Sequence, residues 1–263
     1  MPKISESIYN CGGATNELDG PKPNEDYFTL KSLAPDVLFI AIADGMGAKP
    51  STLQPAAIAC TKAAETITRL YEFDSDAFFS HPDMMLSEAL HMANNVIGSF
   101  KIANEEMHAG FAVSLTCLLI YDETKISYAH CGNCRINLIR AMGDDKPKII
   151  QLTNDHTEAA QLLNDGEISL DEYYMHPGKF VYTSCIGKVN NPEMQLYNGK
   201  IKKGDVLLLT TDGIHYSIHP DYLTQIILES VGWRGASENL IQGARQEKVG
   251  DNATAIIFIS SID

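Results

Sequence analysis

Apolar positions fall along the chain in alternating blocks of two kinds, continuous runs and helical repeats. Val37 to Ala43 (VLFIAIA) is apolar without interruption at strand length, as expected for a strand buried on both faces. Ala56 to Tyr71, just after Pro55, and Met84 to Met107 carry Ala, Leu, Met and Ile at helical spacing with no internal proline, so two long helices are predicted in succession. A block of strands follows over 111–121, 125–130, 135–140 and 148–152, parted by the turn-like DET, CGNC and GDDKP. A short helix is expected over 157–164, then a polar, irregular segment from Asp165 to Gly178. Further strands are predicted at 180–185, 194–201, 206–211 and 253–260, with helices 222–231 and 237–246 between the last two. A strand-like run also covers Tyr27 to Lys31.

Strands arriving in runs and helices in pairs read as α+β with antiparallel sheets, not as a regular βαβ alternation. About ten strands would make an unusually wide open sheet, so two packed sheets are expected. With no low-complexity linker and no composition break, the 263 residues are expected to form one domain, 1–263.

Hydrophobic residues at 44% and charged residues at 21% exclude disorder, collagen-like repeats and coiled coil as the main architecture. The net charge of −14 repels phosphate backbones and anionic lipid, which argues against nucleic acid and membrane as partners. Lacking a membrane-length apolar stretch or an apolar signal core in MPKISESIYNCGG, the chain is expected to be cytoplasmic. Its six cysteines are thinly spread, and three lie in apolar runs, which points to core usage rather than a disulfide framework. Cys131-Gly-Asn-Cys134 alone has the spacing of a redox or half-zinc motif, but it lies between strands and has no second CxxC.

Carboxylates carry the candidate chemistry. Two buried runs end in an acid and a glycine, VLFIAIA-Asp44-Gly45 and VLLLTT-Asp212-Gly213, and Asp251 precedes the last apolar run. Asp-Gly is a common turn pair, yet three such acids at the ends of central strands can converge on one rim. Crowded carboxylates repel there unless cations sit between them. Asn24-Glu25-Asp26 adds two more acids before a strand-like run. Oxygen ligands without a His or Cys cluster favour Mg²⁺ or Mn²⁺ over zinc, and two such ions about 3.5–4 Å apart can activate a bridging water toward a phosphate ester. No phosphate-loop, dinucleotide, HExxH or EF-hand motif competes, and His130 and His156 read as hydrogen-bonded structural residues near strand ends.

In order, Asn24-Glu25-Asp26, Ala43-Asp44-Gly45-Met46-Gly47, Ser114-Leu115-Thr116 and His130-Cys131-Gly132-Asn133-Cys134-Arg135 resemble the motifs of the PP2C-like, metal-dependent serine/threonine protein phosphatases in their short bacterial form. Leu152 to His156, Thr183 to Gly187, Gly204-Asp205, Thr211-Asp212-Gly213 and Asp251-Asn252-Ala253-Thr254 extend the resemblance over nearly the whole chain. It implies a four-layer α-β-β-α sandwich of two antiparallel sheets flanked by helices, with two Mn²⁺ or Mg²⁺ ions at one end. Asp26, Asp44, Asp212 and Asp251 would ligate metal and carry catalysis, with Gly45 acting through its carbonyl and Glu25 through a water. A flap at about 165–178 would regulate access. The implied activity is hydrolysis of phosphoserine and phosphothreonine on proteins by a metal-bridging hydroxide, opposite a serine/threonine kinase.

Three positions depart from the family. Pro21 stands where it has a phosphate-gripping arginine, leaving Lys22 as the nearest cation, without bidentate geometry. Asn133 replaces the aspartate of a third metal site, which makes such a site doubtful. Met46 stands where animal relatives have a histidine, as is usual in bacterial ones. Pro21 and Asn133 motivate a rival, a phosphatase-like regulatory or binding protein with weak or no turnover. A two-metal hydrolase of small phosphorylated metabolites is a third reading.

Overall fold

In the computed structural model the described residues are 3–6, 10–16, 23–47, 54–103, 110–142, 145–188, 190–247 and 251–260. Strands β1 (Lys3–Glu6), β2 (Cys11–Asn16), β7 (Arg135–Met142), β8 (Asp145–Gln151), β10 (Val206–Thr210) and β11 (Ala253–Ile259) form one sheet in the order β1-β2-β11-β10-β7-β8. Strands β3 (Asp26–Ala34), β4 (Val37–Met46), β5 (Ala112–Tyr121), β6 (Lys125–Cys131) and β9 (Gln195–Lys200) form the other, in chain order. Neighbouring strands in both are antiparallel.

Alternation along a strand divides its side chains between two cores. On β4, Leu38, Ile40 and Ile42 enter the core between the sheets, where they meet Ile136, Leu138, Leu207, Leu209, Ile256 and Phe258 of the other sheet. Val37, Phe39, Ala41 and Ala43 face the opposite way, onto α1 (Pro55–Phe73) and α3 (Pro82–Ala103). Both faces are covered, so the run is apolar throughout. Ala56, Ala59, Cys60, Ala63, Ala64 and Ile67 form the buried face of α1, which Pro55 opens, and small side chains there let helix and sheet approach closely. Asp74 follows α1 and caps α2 (Ser75–Ser80) by accepting from Ala77 N at 2.9 Å. On the far side, α7 (Pro220–Glu229) and α8 (Gly232–Gln246) bury Leu223, Ile227, Leu240 and Ile241 against Leu208, Ala255 and Ile257. The layers run α-β-β-α, as the resemblance implies.

Several elements differ from the sequence reading. The Asp165–Gly178 stretch is ordered as α5 (Leu170–Met175) and a 3₁₀ turn (Pro177–Phe180), following α4 (Glu158–Asn164). A reciprocal Ser169–Glu172 capping box starts α5, and polar composition concealed it. No strand forms at 180–185; isolated bridges Thr157–Tyr182 and Val113–Ile186 tie that segment down instead. Unforeseen β2 carries Gly12 and Gly13, which weaken a strand signal but admit Trp233, whose ring lies 2.1 Å from where a Gly12 Cβ would be. Residues 104–107 of the expected helix lie outside the described residues, and β8 starts earlier than expected.

The architecture brings the starts of β3, β5, β7 and β11 to one rim with the ends of β4 and β10. There α6 (Asp212–His215) packs so closely that a Cβ on Gly213 would sit 1.9 Å from Asn252 O. Gly213→Ala is therefore expected to lower the urea midpoint by the equivalent of about 1–3 kcal/mol, as overpacking does. Gly98→Ala, on α3 with nothing within 4 Å, should not lower it. Equal midpoints for both variants would contradict this packing.

Candidate metal centre

The rim collects carboxylates from both sheets. Asp26 and Asp44 are direct cross-strand partners, and Asp44 also stands opposite Ser114. From the other sheet, the hydroxyls of Thr211 and Thr254 each donate to Asp26 Oδ2 at 2.7 Å. Glu25 N donates to the Asn252 side chain at 2.8 Å, and Gly45 N to Glu25 O at 3.1 Å. These bonds stitch the Asn24-Glu25-Asp26 motif to β11 and to β4. Asp212 Oδ2 accepts from the Asn133 amide at 3.2 Å, and Asn133 Oδ1 accepts from Tyr182 at 2.8 Å. Asp251 Oδ1 accepts from Asn252 N at 2.8 Å.

Burial and mutual repulsion raise the proton affinity of this group. Asp26 is pushed up to about 8 by burial, with Asp212 and Asp251 adding to the shift and the two threonine hydroxyls opposing it. Asp212 is pushed up to about 7 by burial and then by Asp251, against the hydrogen bonds from Asn133 and Asp44. Burial holds Asp44 well above the carboxylate range, reinforced by Asp212, Asp26, Asp251 and Glu25. Five acids thus act on one another from four chain segments. A group like this binds protons, or cations in their place.

The donors are all oxygen. Among the described residues no three His, Cys, Asp or Glu side chains form a ready-made cage. Hard divalent ions fit such a set because they retain several waters and need only a few carboxylates. Gly45 meets the spatial demand of this corner, since an added Cβ would lie 3.1 Å from both Ala56 N and Glu25 O. Pro21 and Lys22 lie outside the described residues.

Beside the acids lies a buried ion pair absent from the sequence reading. Arg135 Nε donates to Asp155 Oδ1 at 2.9 Å and Nη2 to Oδ2 at 2.7 Å. Tyr173 of α5 donates to the same carboxylate at 2.5 Å and Tyr216 at 3.2 Å, so the 165–180 segment is moored to the body through Asp155. That geometry holds the Asp155 carboxyl well below the usual range, overcoming burial through the Arg135 guanidinium. Removing one member of such a pair costs about 3–5 kcal/mol. Both residues lay in motifs quoted from the sequence, but nothing in the spacing paired them.

Cys131 and Cys134 are buried and unbridged, and burial pushes the Cys131 thiol up to about 12, the reverse of a reactive pair. Their turn curls over Ser114, whose Oγ accepts from Asn133 N and Cys134 N at 2.8 Å each. Gly132, at φ 120°, permits it. His130 is structural, bonded to Thr116 Oγ1 at 2.7 Å and Asn154 O at 3.0 Å.

A family model described as protein phosphatase 2C matches residues 15–244. Protein phosphatase PhpP of Streptococcus pneumoniae (serotype 2, strain D39) is 26% identical over 242 residues, covering 89% of this chain and 90% of that one. Among solved structures, serine/threonine phosphatase Stp1 from Staphylococcus aureus superposes with a TM-score of 0.83 at 19% identity, over 98% of this chain and 96% of that one. The catalytic domain of the phosphatase PstP, in complex with two manganese ions, superposes at 0.73 with 19% identity, over 96% and 98%.

Because Asp26 and Asp212 bind protons more tightly folded than at their ordinary carboxylate values, the metal-free protein loses stability as pH rises toward about 8. Buried, neutral His130 acts oppositely, but only below its ordinary value near 6.5. Between pH 7 and 8 the acids should dominate. Unfolding free energy in chelator is expected to fall across that window by on the order of 1 kcal/mol per pH unit, read as a falling melting temperature, and Asp26→Asn should flatten the slope. A flat or rising wild-type profile would contradict the clustering.

Proposed function

Since the chain belongs to the protein phosphatase 2C family, its model matching residues 15–244, we propose that it hydrolyses phosphoserine and phosphothreonine on proteins at the acidic rim, with divalent metal. The observation that carries this reading is the convergence of Asp26, Asp44, Asp212 and Asp251 from both sheets, with the proton affinities of Asp26, Asp44 and Asp212 raised by burial and by repulsion from their neighbours. These four would hold two Mn²⁺ or Mg²⁺ ions, with Gly45 contributing its carbonyl and Glu25 a water-mediated contact. Bound there, the ions would supply the Lewis acidity that makes water a nucleophile at neutral pH and offsets phosphoryl charge.

The chain's own groups prepare that site. Thr211 and Thr254 orient Asp26 by donating to a single oxygen, leaving the other for a ligand. Asn133 orients Asp212 in the same way and is itself fixed by Tyr182. With its amide so engaged, Asn133 favours two ions over three. The capped helix α5 and the 3₁₀ turn after it, moored through Asp155, would be the flap of a single domain spanning 1–263. The substrate calls for an opposing serine/threonine kinase. Among the described residues no helix is long and apolar enough to cross a membrane, which is compatible with a cytoplasmic site of action.

Turnover of p-nitrophenyl phosphate, then of phosphopeptides, is expected only with Mn²⁺ or Mg²⁺. Asp44→Ala or Asp212→Ala should lower kcat at least about a hundredfold while the fold persists. Full activity in excess chelator, or wild-type turnover by Asp212→Ala, would sink the two-metal reading. Metal binding without turnover on any phosphopeptide would favour the regulatory rival.

A further inference from the structure

A phosphoryl dianion approaching this centre meets Glu25, Asp26, Asp44, Asp212 and Asp251, in a protein of net charge −14. Bound ions offset part of that field, and an additional cation on the approach would offset more. Arg135 is not available for it, because its fork is engaged by Asp155 and Tyr173.

Lys179, in the 3₁₀ turn Pro177–Phe180, is differently placed. Its Nζ donates to the Tyr174 carbonyl at 2.5 Å, a neutral acceptor, and makes no ion pair among the described residues. The ammonium lies 4.8 Å from the centre of the Tyr216 ring and 5.1 Å from that of Phe180. Tyr216 N donates to Asp212 O at 2.9 Å, so the cation stands over the residue one helical turn beyond Asp212. The Tyr216 hydroxyl, whose one proton faces Asp155 Oδ2 at 3.2 Å, also lies 3.3 Å from Lys179 O and can share that proton with it. Half-buried, the amine is held below its usual range by desolvation, and the Asp212 carboxylate opposes that shift. Two aromatic faces compensate a desolvated ammonium only modestly, about 0.5–2 kcal/mol, and leave N–H donors without an acceptor. A charge in that position is completed by an anion arriving beside Asp212.

We propose that Lys179 is the cation that grips the substrate's phosphoryl group, delivered from the flap segment instead of from the N-terminal position that Pro21 occupies. The assignment rests on the phosphatase reading for its substrate. A lysine in this role attracts as a point charge, without the bidentate match of an arginine. It acts on the ground state and the transition state alike, so its removal should raise KM more than it lowers kcat.

Lys179→Met keeps the aliphatic stem against Tyr216 and Phe180 and removes the charge. It is expected to raise KM for a phosphopeptide, and Ki for inorganic phosphate, about tenfold, with kcat within about twofold. Lys179→Arg should restore most of the loss. Unchanged KM and Ki in Lys179→Met would overturn the assignment, as would a fall in kcat and melting temperature with KM intact, which marks a structural pin. A second measurement does not need turnover. With Mn²⁺ present, inorganic phosphate should protect Lys179 of the wild-type protein from acetic anhydride, read by peptide mass spectrometry, and should leave Lys101 unprotected. Protection in an enzyme that turns over nothing would retain the grip and remove the phosphatase reading. Turnover with neither protection nor a KM change would remove the grip alone.

Discussion

Like charges brought together at the meeting of two sheets are the constraint on which the rest of this molecule depends. Asp26 faces Asp44 directly across a strand pair, a placement that is unfavourable wherever both are ionised. The neighbouring structure holds these acids in place at that cost. Thr211 and Thr254 reach across from the other sheet, Asn252 ties the Glu25 backbone to β11, and Asn133 spans from the CGNC turn to Asp212. Glycines at 132 and 213 stand where a Cβ would collide with Ser114 or with backbone, and at Gly45 it would press tightly on Ala56 and Glu25. Fold stability and site geometry are therefore one problem at this rim.

A second level of order surrounds the first. The Arg135–Asp155 pair is buried, geometrically complete and shared with two tyrosine hydroxyls, one on α5 and one just past α6. Through it the segment carrying Lys179 is attached to the same helix turn that presents Asp212. The polar stretch is thus tied to the body beneath it through Asp155 and Tyr216.

Much of this was legible in the sequence because burial leaves a strong mark. Runs such as VLFIAIA and VLLLTT are apolar on both faces, since one face meets a helix layer and the other meets the second sheet. The acids ending those runs were visible for the same reason, as charges where the pattern otherwise forbids them. Weaker marks misled. Gly12 and Gly13 hid β2, capping residues made α5 resemble a loop, and Phe180 to Cys185 looked like a strand while serving as a bridged connection. Long-range polar pairs left no trace at all: nothing in the spacing of Arg135 and Asp155, or of Asp26 and Thr254, says that they touch.

The central claim is that this rim exchanges protons for divalent cations. Titration calorimetry of Mn²⁺ into the metal-free protein at pH 7, repeated in buffers of different ionisation enthalpy, tests it most directly. Saturable binding of about two ions with net proton release, both weakened in Asp212→Asn, is the result expected from carboxyls whose affinity for protons is raised. No saturable binding at millimolar Mn²⁺, or binding that releases no protons, would contradict it.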